Sequence, residues 1–368
     1  MKISIITTVD HNVGDDFVRE GIKYLARKIF KNNDIEFNNI HKHSPITTRY
    51  GFEWFRFNRR GIANIVDKVL PQSISKDKII EADVVIQSGA PVYWCHENTH
   101  CHDNEWYRPL LGKRFSKNKK QVLLNIAAGT CQKYHSDGTE FCSSCLKYME
   151  EFYHRSKVTT VRDSLSKVVF EKKGIDVNVI PCSSIFAIDE HNLKNEGEDY
   201  IVLNYMHGGA HYTFGQGIDF ERWEKEFSDF YFKLKETERV VLVCHNQKEA
   251  DDALRLDPKA EIFFEKDDYV AYMKVYSKAK LGLMNRVHGA FMLASFGKPS
   301  IVIGNDSRAL MAAEIGVKSY FVNDVDSSLL NSEYRRLLES RDEFSKNFAK
   351  LKEKAFRDYI EALSQIEP

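Results

Sequence analysis

Short apolar runs alternate with amphipathic segments along the first half of the chain. The run KISIITT, residues 2–8, has the length and composition of a buried strand, and the segment DDFVREGIKYLARKIF after it carries apolar residues at helical spacing. Further apolar runs follow at residues 82–89, 121–129, 158–161 and 177–180. Strands without a polar face, separated by helices, are typical of a parallel sheet covered on both sides. The pattern predicts a Rossmann-like α/β lobe over residues 1–190.

A second series of the same kind begins after the polar segment DEHNLKNEGED, residues 189–199, which has few apolar residues and contains a glycine. We interpret this segment as the linker between two lobes. The predicted strands beyond it lie at residues 200–205, 240–244, 261–264, 281–285 and 299–304. The chain is therefore predicted to form a second Rossmann-like lobe over residues 199–325, so that the whole protein is an α/β fold of two doubly wound lobes with a cleft between them.

The last part of the chain, residues 326–368, has a different pattern. It lacks glycine, and its leucine and phenylalanine residues are spaced broadly as one apolar face of a helix requires. We predict a long C-terminal helical segment, made of one helix or two. The pattern does not determine whether this segment crosses back to the first lobe.

The length and the charge of the chain limit the classes of function that are open to it. The 368 residues, 43% of them hydrophobic, suit two domains better than one core. Lysine plus arginine equals aspartate plus glutamate at 53 each, which argues against nucleic acid as a partner. No apolar run reaches the roughly 18 to 20 residues that span a bilayer, and the N-terminus does not resemble a signal peptide. We expect a cytoplasmic protein without a transmembrane segment; whether it forms a homo-oligomer is left open.

The segment NRVHGA places polar residues directly after the predicted strand at 281–285. Ligands of open α/β sheets bind beyond the carboxyl ends of the strands, near helix N-termini. Arg286 offers a fork of donors that matches a carboxylate or phosphate, and His288 can move a proton near neutral pH. The pair suits a small anion that must be both held and protonated. The alternative is that Arg286 forms a salt bridge and His288 only caps or packs.

The longer stretch NRVHGAFMLASFGKPSIVIGNDSRALMAAEIG resembles the C-terminal signature of the polysaccharide pyruvyl transferase family, in which Arg-x-His-Gly follows a strand and Gly-x-Pro precedes the next. Three other stretches are similar to the same family: NVGDDFVREGI, ADVVIQSGAPVYW and VTTVRDSLSKVVFEKKGI. The resemblance covers roughly residues 1–320. Its most specific parts are the Arg-x-His-Gly and Val-Arg-Asp blocks.

The resemblance implies a GT-B-like arrangement of the two lobes, with the acceptor on the first and the donor on the second. It implies transfer of the enolpyruvyl unit of phosphoenolpyruvate to a sugar of a surface glycan or its precursor, forming a pyruvate ketal without a cofactor or a metal. By the same resemblance Arg286, His288 and Arg162 are the catalytic candidates, with the two arginines holding the donor and His288 acting as acid or base. The candidates for substrate binding are Asn12, Gly14, Gly89, Asn285, Gly289 and His207. We further expect Asp15 to cap the first helix.

The chain departs from the family pattern at two places. Cys182 stands where an aspartate is expected, and Gly89 alone remains of a run that is richer in glycine in the family. Two other functions therefore stay open. One is a GT-B glycosyltransferase using a nucleotide sugar, with CHNQKEADD, residues 244–252, as part of its pocket. The other is a non-catalytic relative that binds glycan or metal.

Cysteine and histidine are concentrated in two segments of the first lobe, WCHENTHCHDNEW and TCQKYHSDGTEFCSSC. They contain one C-x2-C pair, which is half of a common zinc signature. We favour a packing role for the cysteines, near the mouth of the cleft at a loop or helix start, and keep zinc as the alternative. The potential ligands are Cys95, His96, His100, Cys101, His102, Cys142 and Cys145.

Overall fold

The computed structural model describes residues 1–9, 12–30, 34–42, 79, 81–89, 93–95, 110, 121–138, 141–210 and 212–366. These residues form two six-stranded parallel sheets and a two-stranded ribbon. Helices cover the sheets, so the predicted α/β fold of two doubly wound lobes is confirmed.

The first sheet has the strand order β2-β1-β3-β5-β7-β8, all parallel. Its strands are β1 (Lys2–Thr7), β2 (Glu36–His41), β3 (Val84–Gln87), β5 (Val122–Ala128), β7 (Val158–Val161) and β8 (Asn178–Val179), while β4 (Tyr93–Trp94) and β6 (Thr130–Cys131) form the ribbon. The helices described in this lobe are α1 (Val13–Ile29), α2 (Ser143–Arg155), α3 (Ser164–Glu171) and the short α4 (Ala187–Glu190). A 3-10 turn, Ser183–Phe186, precedes α4.

The second sheet has the order β11-β10-β9-β12-β13-β14, again all parallel. Its strands are β9 (Tyr200–Asn204), β10 (Val240–Val243), β11 (Glu261–Phe263), β12 (Ala279–Met284), β13 (Ser300–Gly304) and β14 (Lys318–Phe321). Its helices are α5 (Phe220–Lys235), α6 (Gln247–Leu256), α7 (Tyr269–Ser277) and α8 (Val287–Ser295), with a 3-10 stretch over Ser307–Ile315.

Each sheet has a point at which the chain reverses the direction in which it adds strands. In the first lobe this point lies between β1 and β3, and in the second it lies between β9 and β12. A crevice opens at the carboxyl ends of the strands at such a point, which is where α/β proteins bind ligands. The topology therefore selects the ends of these four strands as the place for a site.

The two lobes share buried contacts. Phe17 of α1 packs edge-to-face on Tyr276 of α7, with ring centroids 6.5 Å apart. The backbone N–H of Gln132 donates to the hydroxyl of Ser307 at 3.0 Å, and the N–H of Ser307 donates to the carbonyl of Gln132 at 2.9 Å. These contacts connect the two lobes directly.

The C-terminal segment forms two helices, α9 (Ser327–Glu339) and α10 (Arg341–Ser364), which meet at Ser340. Helix α9 packs on α5 of the second lobe, whereas α10 crosses to α1 of the first. The hydroxyl of Tyr359 in α10 donates to the carbonyl of Pro181 at 2.9 Å, which fixes the crossing. No helix among the described residues is both long enough and apolar enough to cross a bilayer.

Candidate active site between the lobes

His288 lies near the N-terminus of α8, at the carboxyl end of β12, and contacts the first lobe directly. A Cβ added to Gly14 would lie 2.6 Å from Nδ1 of His288, so the imidazole rests on the glycine backbone. The N–H of Gly14 donates to Oδ1 of Asn12 at 3.1 Å, and Asn12 is the residue that caps α1. Asn12 and Gly14 thus build the helix start against which the histidine packs.

The other imidazole nitrogen of His288 faces Cys182. Its Nε2 lies 3.7 Å from the Cys182 sulfur, and Cys182 is fully buried just before the turn at Ser183–Phe186. Burial raises the pKa of the Cys182 thiol, although Arg162 opposes that effect. A neutral thiol therefore occupies the position where the family pattern predicts an aspartate, in contact with the candidate catalytic group.

Three arginines from three strand ends lie within electrostatic reach of His288. Arg162 follows β7, Arg286 follows β12 and Arg308 lies in the 3-10 stretch after β13. Burial lowers the pKa of His288 well below its usual value, and Arg162, Arg308, His245 and Arg286 lower it further. The imidazole is therefore neutral at pH 7, so it is suited to accept a proton rather than to donate one.

Arg162 is almost fully buried, and only part of its guanidinium is satisfied. Its Nη1 donates to the carbonyl of Gly89 at 3.1 Å, while Nε makes no hydrogen bond within the described part of the chain and lies 3.7 Å from the carboxylate of Asp163. A Cβ at Gly129 would lie 2.2 Å from Nε, so the guanidinium is seated on the Gly129 backbone. A buried arginine with an unused N–H is a suitable donor to an anion.

Gly89 supports Arg162 in two ways. Its carbonyl accepts the Arg162 hydrogen bond, and a Cβ at this position would come within 2.2 Å of the Ala127 carbonyl. Ala127 itself has a φ of 55°, an uncommon conformation for a residue with a side chain, at an irregularity in the pairing of β5 with β7. The structure thus explains Gly89 by close packing at the carboxyl ends of β3 and β5 and by the positioning of Arg162.

Arg286 is held by a partner from its own lobe. Its Nε donates to the Glu249 carboxylate at 2.9 Å, and a second guanidinium N–H donates to the same oxygen. Burial raises the pKa of Glu249, but Arg286 and its other partners outweigh this and lower the pKa below its usual value. Glu249 also accepts the N–H of His245 at 2.9 Å. Of the three acidic residues in the segment 244–252, considered above for a nucleotide pocket, Glu249 therefore pairs with Arg286.

The expectation that Asp15 caps α1 is wrong. Asn12 takes the cap, and Asp15 is buried in the first turn of the helix. Burial raises the pKa of Asp15 more than the nearby cations Lys42, Arg162 and Arg308 lower it. Its carboxyl therefore keeps a proton to a higher pH than an exposed aspartate does.

Asn285 and Gly289 have structural contacts instead of a free face. The Asn285 side chain accepts the N–H of Met206 at 2.7 Å and donates to the carbonyl of Ile303 at 2.7 Å, which ties the ends of three strands together. A Cβ at Gly289 would lie 2.4 Å from Met284, because the helix packs closely on the core there. The side-chain atoms of Asn285 are therefore engaged within the protein, and the glycine at 289 is explained by packing and not by ligand binding.

His207 lies on the surface beside α5. Its ring stacks on Phe220 with centroids 4.9 Å apart, and its Nδ1 lies 3.5 Å from the carboxylate of Glu224. The following Gly208 has a φ of 78°, and a Cβ there would collide with Phe220 at 2.4 Å. Gly208 is therefore explained by the turn and by this close contact. The nearby His211 lies outside the described residues.

Two further residues of the site were missed although both follow a strand. Arg308 comes after β13 and its guanidinium pairs with Asp306, and His245 comes after β10 with its Nε2 2.9 Å from the hydroxyl of Tyr276. Burial, followed by Arg286, lowers the pKa of His245 to about 3. The rule that identified Arg286 would have identified both residues if it had been applied to every strand end.

Comparisons with known proteins agree with this architecture. The family model described as polysaccharide pyruvyl transferase matches residues 12–307, and no curated protein gives a significant match. The UDP-GlcNAc 2-epimerase of Methanocaldococcus jannaschii, solved with UDP-GlcNAc and UDP, is 15% identical, with 92% of this chain and 93% of that chain covered and a TM-score of 0.50. The putative UDP-N-acetylglucosamine 2-epimerase of Listeria monocytogenes is 12% identical, with 95% and 90% covered and a TM-score of 0.53. At these identities the structures share only the fold, and the GT-B arrangement is thereby confirmed.

Proposed function

The chain belongs to the polysaccharide pyruvyl transferase family, and we propose that it transfers the enolpyruvyl unit of phosphoenolpyruvate to two hydroxyls of a sugar in a surface glycan or its precursor. The observation that carries this proposal is the grouping around His288. Arg162, Arg286 and Arg308 provide positive charge, and Asp15 and His288 have pKa values shifted in opposite directions. Such a pair of titratable groups is typical of acid–base catalysis.

The donor has two anionic groups, a carboxylate and a phosphate, and the arginines differ in what they offer to them. The Nε–H of Arg162 has no hydrogen-bond partner among the described residues, and the ion pair of Arg162 with Asp163 is long, at 3.7 Å, so Arg162 is suited to a direct contact with the donor. Arg286 and Arg308 are each paired with a carboxylate, Glu249 and Asp306 respectively. Arg286 and Arg308 therefore offer the donor a positive charge at a fixed position, together with the N–H groups that these carboxylates do not occupy. We infer that Arg162 makes the strongest contact with the donor.

The reaction requires a proton at C3 of the enol, and we infer that Asp15, whose pKa is raised by burial, supplies it. Sequence analysis makes His288 the acid or base of the reaction, but burial and the nearby arginines keep its imidazole neutral at pH 7. In the proposed sequence Asp15 protonates C3, the first sugar hydroxyl adds to C2, and His288 takes the proton of that hydroxyl. His288 then protonates the departing phosphate as the C2–O bond breaks. The second hydroxyl adds to C2 and returns a proton to Asp15, which closes the ketal and restores both groups.

Two measurements test the proposal. Phosphate release from phosphoenolpyruvate is followed across a panel of sugar acceptors, and we expect release that depends on the acceptor. The melting temperature is measured with phosphoenolpyruvate and with UDP, because a ligand of the folded state stabilises by RT ln(1 + [L]/Kd). Stabilisation by phosphoenolpyruvate alone supports the proposal. Stabilisation by UDP alone favours a nucleotide-sugar enzyme. If phosphoenolpyruvate and UDP both fail to stabilise the protein and no phosphate is released, a non-catalytic relative is favoured.

A further inference from the structure

Three cysteine thiols meet beside the β4–β6 ribbon of the first lobe. Cys95 directly follows β4, and Cys142 and Cys145 lie at the N-cap and in the first turn of α2. The three sulfur atoms all lie within 4.8 Å of one another. The backbone N–H of Cys142 also donates to the Cys95 sulfur at 3.1 Å. The C-x2-C pair thus has a third sulfur in place, although it is 47 residues away in the sequence.

The geometry suits a tetrahedral metal. Two thiolates bound to one zinc ion are about 3.8 Å apart, given Zn–S bonds of about 2.3 Å. The observed sulfur separations, at most 4.8 Å, exceed that spacing by no more than about 1 Å. The amide donor to Cys95 satisfies a negative sulfur, as hydrogen bonds around metal ligands do.

Helix α2 gives a second reason to expect thiolates at this place. Its first turn contains no acidic residue, and its N-cap, Cys142, makes no side-chain capping hydrogen bond. The positive end of the helix dipole is therefore directed toward the two cysteines of the C-x2-C pair, where it stabilises negative sulfur. The sequence analysis favours a packing role for these cysteines. Packing alone would not require the three sulfur atoms to converge.

We propose that Cys95, Cys142 and Cys145 bind a structural zinc ion. A water molecule or a further side chain would occupy the fourth coordination position; His96 and Cys101 lie outside the described residues. The ion would tie β4 to α2. The N–H of Tyr93 in β4 donates to the carbonyl of Gly129 at 2.7 Å, and Gly129 seats Arg162. The site would thus stabilise one wall of the candidate active site without taking part in its chemistry.

The test is metal analysis of the full-length protein, purified without an affinity tag that binds metal and without chelators. We expect about one zinc per chain after gel filtration. Cys95→Ser and Cys145→Ser are each expected to lose most of this zinc. The control is Cys244→Ser, because Cys244 is a buried cysteine of the second lobe and is not part of the cluster. It should retain the full amount.

A second measurement covers the case in which the serine variants do not fold. The wild-type protein is treated with an alkylating reagent before and after zinc is removed by a chelator, and the labelled cysteines are identified by mass spectrometry. The zinc site is supported if the three cysteines are protected from alkylation before chelation and become labelled after it. Substoichiometric zinc with equal labelling under both conditions would overturn it, as would a disulfide between any two of them. Zinc content is measured independently of phosphate release, so failure of the proposed transferase activity leaves this test intact.

Discussion

The imidazole of His288, in the second lobe, rests on the backbone of Gly14 in the first. A Cβ at position 14 would lie 2.6 Å from Nδ1 and 3.0 Å from the Cβ of His288. The backbone of Gly14 has no positive φ, so the available space, and not the conformation, explains the glycine. The contact means that the relative position of the two lobes determines where the imidazole lies.

Gly14→Ala should therefore displace His288 while leaving α1 intact. We expect turnover to fall about 10²-fold, as is usual when a reacting group moves by about 1 Å, with only a small change in melting temperature. Phosphate release and thermal melting are measured together. Gly217→Ala is the matched control, since no heavy atom lies within 4 Å of a Cβ there. Normal turnover of Gly14→Ala would show that the imidazole position is not critical.

Arg286→Lys tests the buried pair with Glu249. Lysine keeps the charge but loses the planar fork that places two N–H groups on one carboxylate oxygen. We expect the free energy of unfolding to fall by about 1 to 3 kcal/mol, the range for a hydrogen bond to a charged buried group. Donor binding should weaken as well, measured by the melting shift with phosphoenolpyruvate.

The control for this variant is Arg239→Lys. Arg239 also pairs with a carboxylate, that of Glu261, but both side chains are about half exposed. An exposed pair contributes about 0 to 1 kcal/mol, so this change should be nearly silent in chemical denaturation. Equal losses in the two variants would mean that burial of the Arg286–Glu249 pair does not matter.

The strands show how far sequence patterns can predict this fold. The central strands were predicted because both faces of each are buried, which leaves a continuous apolar run. One edge strand of each sheet, β8 and β11, was predicted as well, but the opposite edge strands β2 and β14 and the ribbon strands β4 and β6 were missed. The sequences of β2 and β14, EFNNIH and KSYF, are only partly buried and carry polar residues, so no apolar run marks them.

The candidate site was predictable where a residue follows a strong strand, as Arg286 and His288 do. What could not be predicted was pairing across distance. Glu249 is 37 residues before Arg286, and no local pattern connects them. Asp15 was misassigned because aspartate at a helix start is usually a cap. Its burial among cations of both lobes is a tertiary property, and Asn12 was equally able to cap.

Cys182→Asp should change the pH dependence of the reaction. A carboxylate in place of the sulfur, which lies 3.7 Å from Nε2 of His288, would favour the protonated imidazole and raise its pKa. Turnover needs the neutral imidazole, so its rise with pH should move to higher pH by about 1 to 3 pH units. Cys182→Ser, which adds no charge, should leave the profile in place. An unchanged profile in Cys182→Asp would mean that His288 does not titrate in the reaction.

Asp15→Asn removes the proposed proton donor but keeps the shape of the side chain. We expect turnover to fall by about 10² to 10⁴, the usual loss for an acid or base, while phosphoenolpyruvate still raises the melting temperature. The matched control is Asp16→Asn, because Asp16 is also buried in the first turn of α1 but pairs with Arg19. That change should lower stability and leave the turnover of the folded protein largely intact.

The stability of Asp15→Asn provides an independent check on the protonation state. The pKa of Asp15 is raised by folding, so its contribution favours the folded protein below the unfolded pKa and is lost as pH rises through the folded pKa. Asparagine has no such loss. The melting temperature of the variant should therefore rise relative to that of the wild type as pH increases from about 4 to 7, although the variant is less active. A stability difference between variant and wild type that stays the same at both pH values would show that folding does not raise the pKa of Asp15. The source of the C3 proton would then have to lie elsewhere.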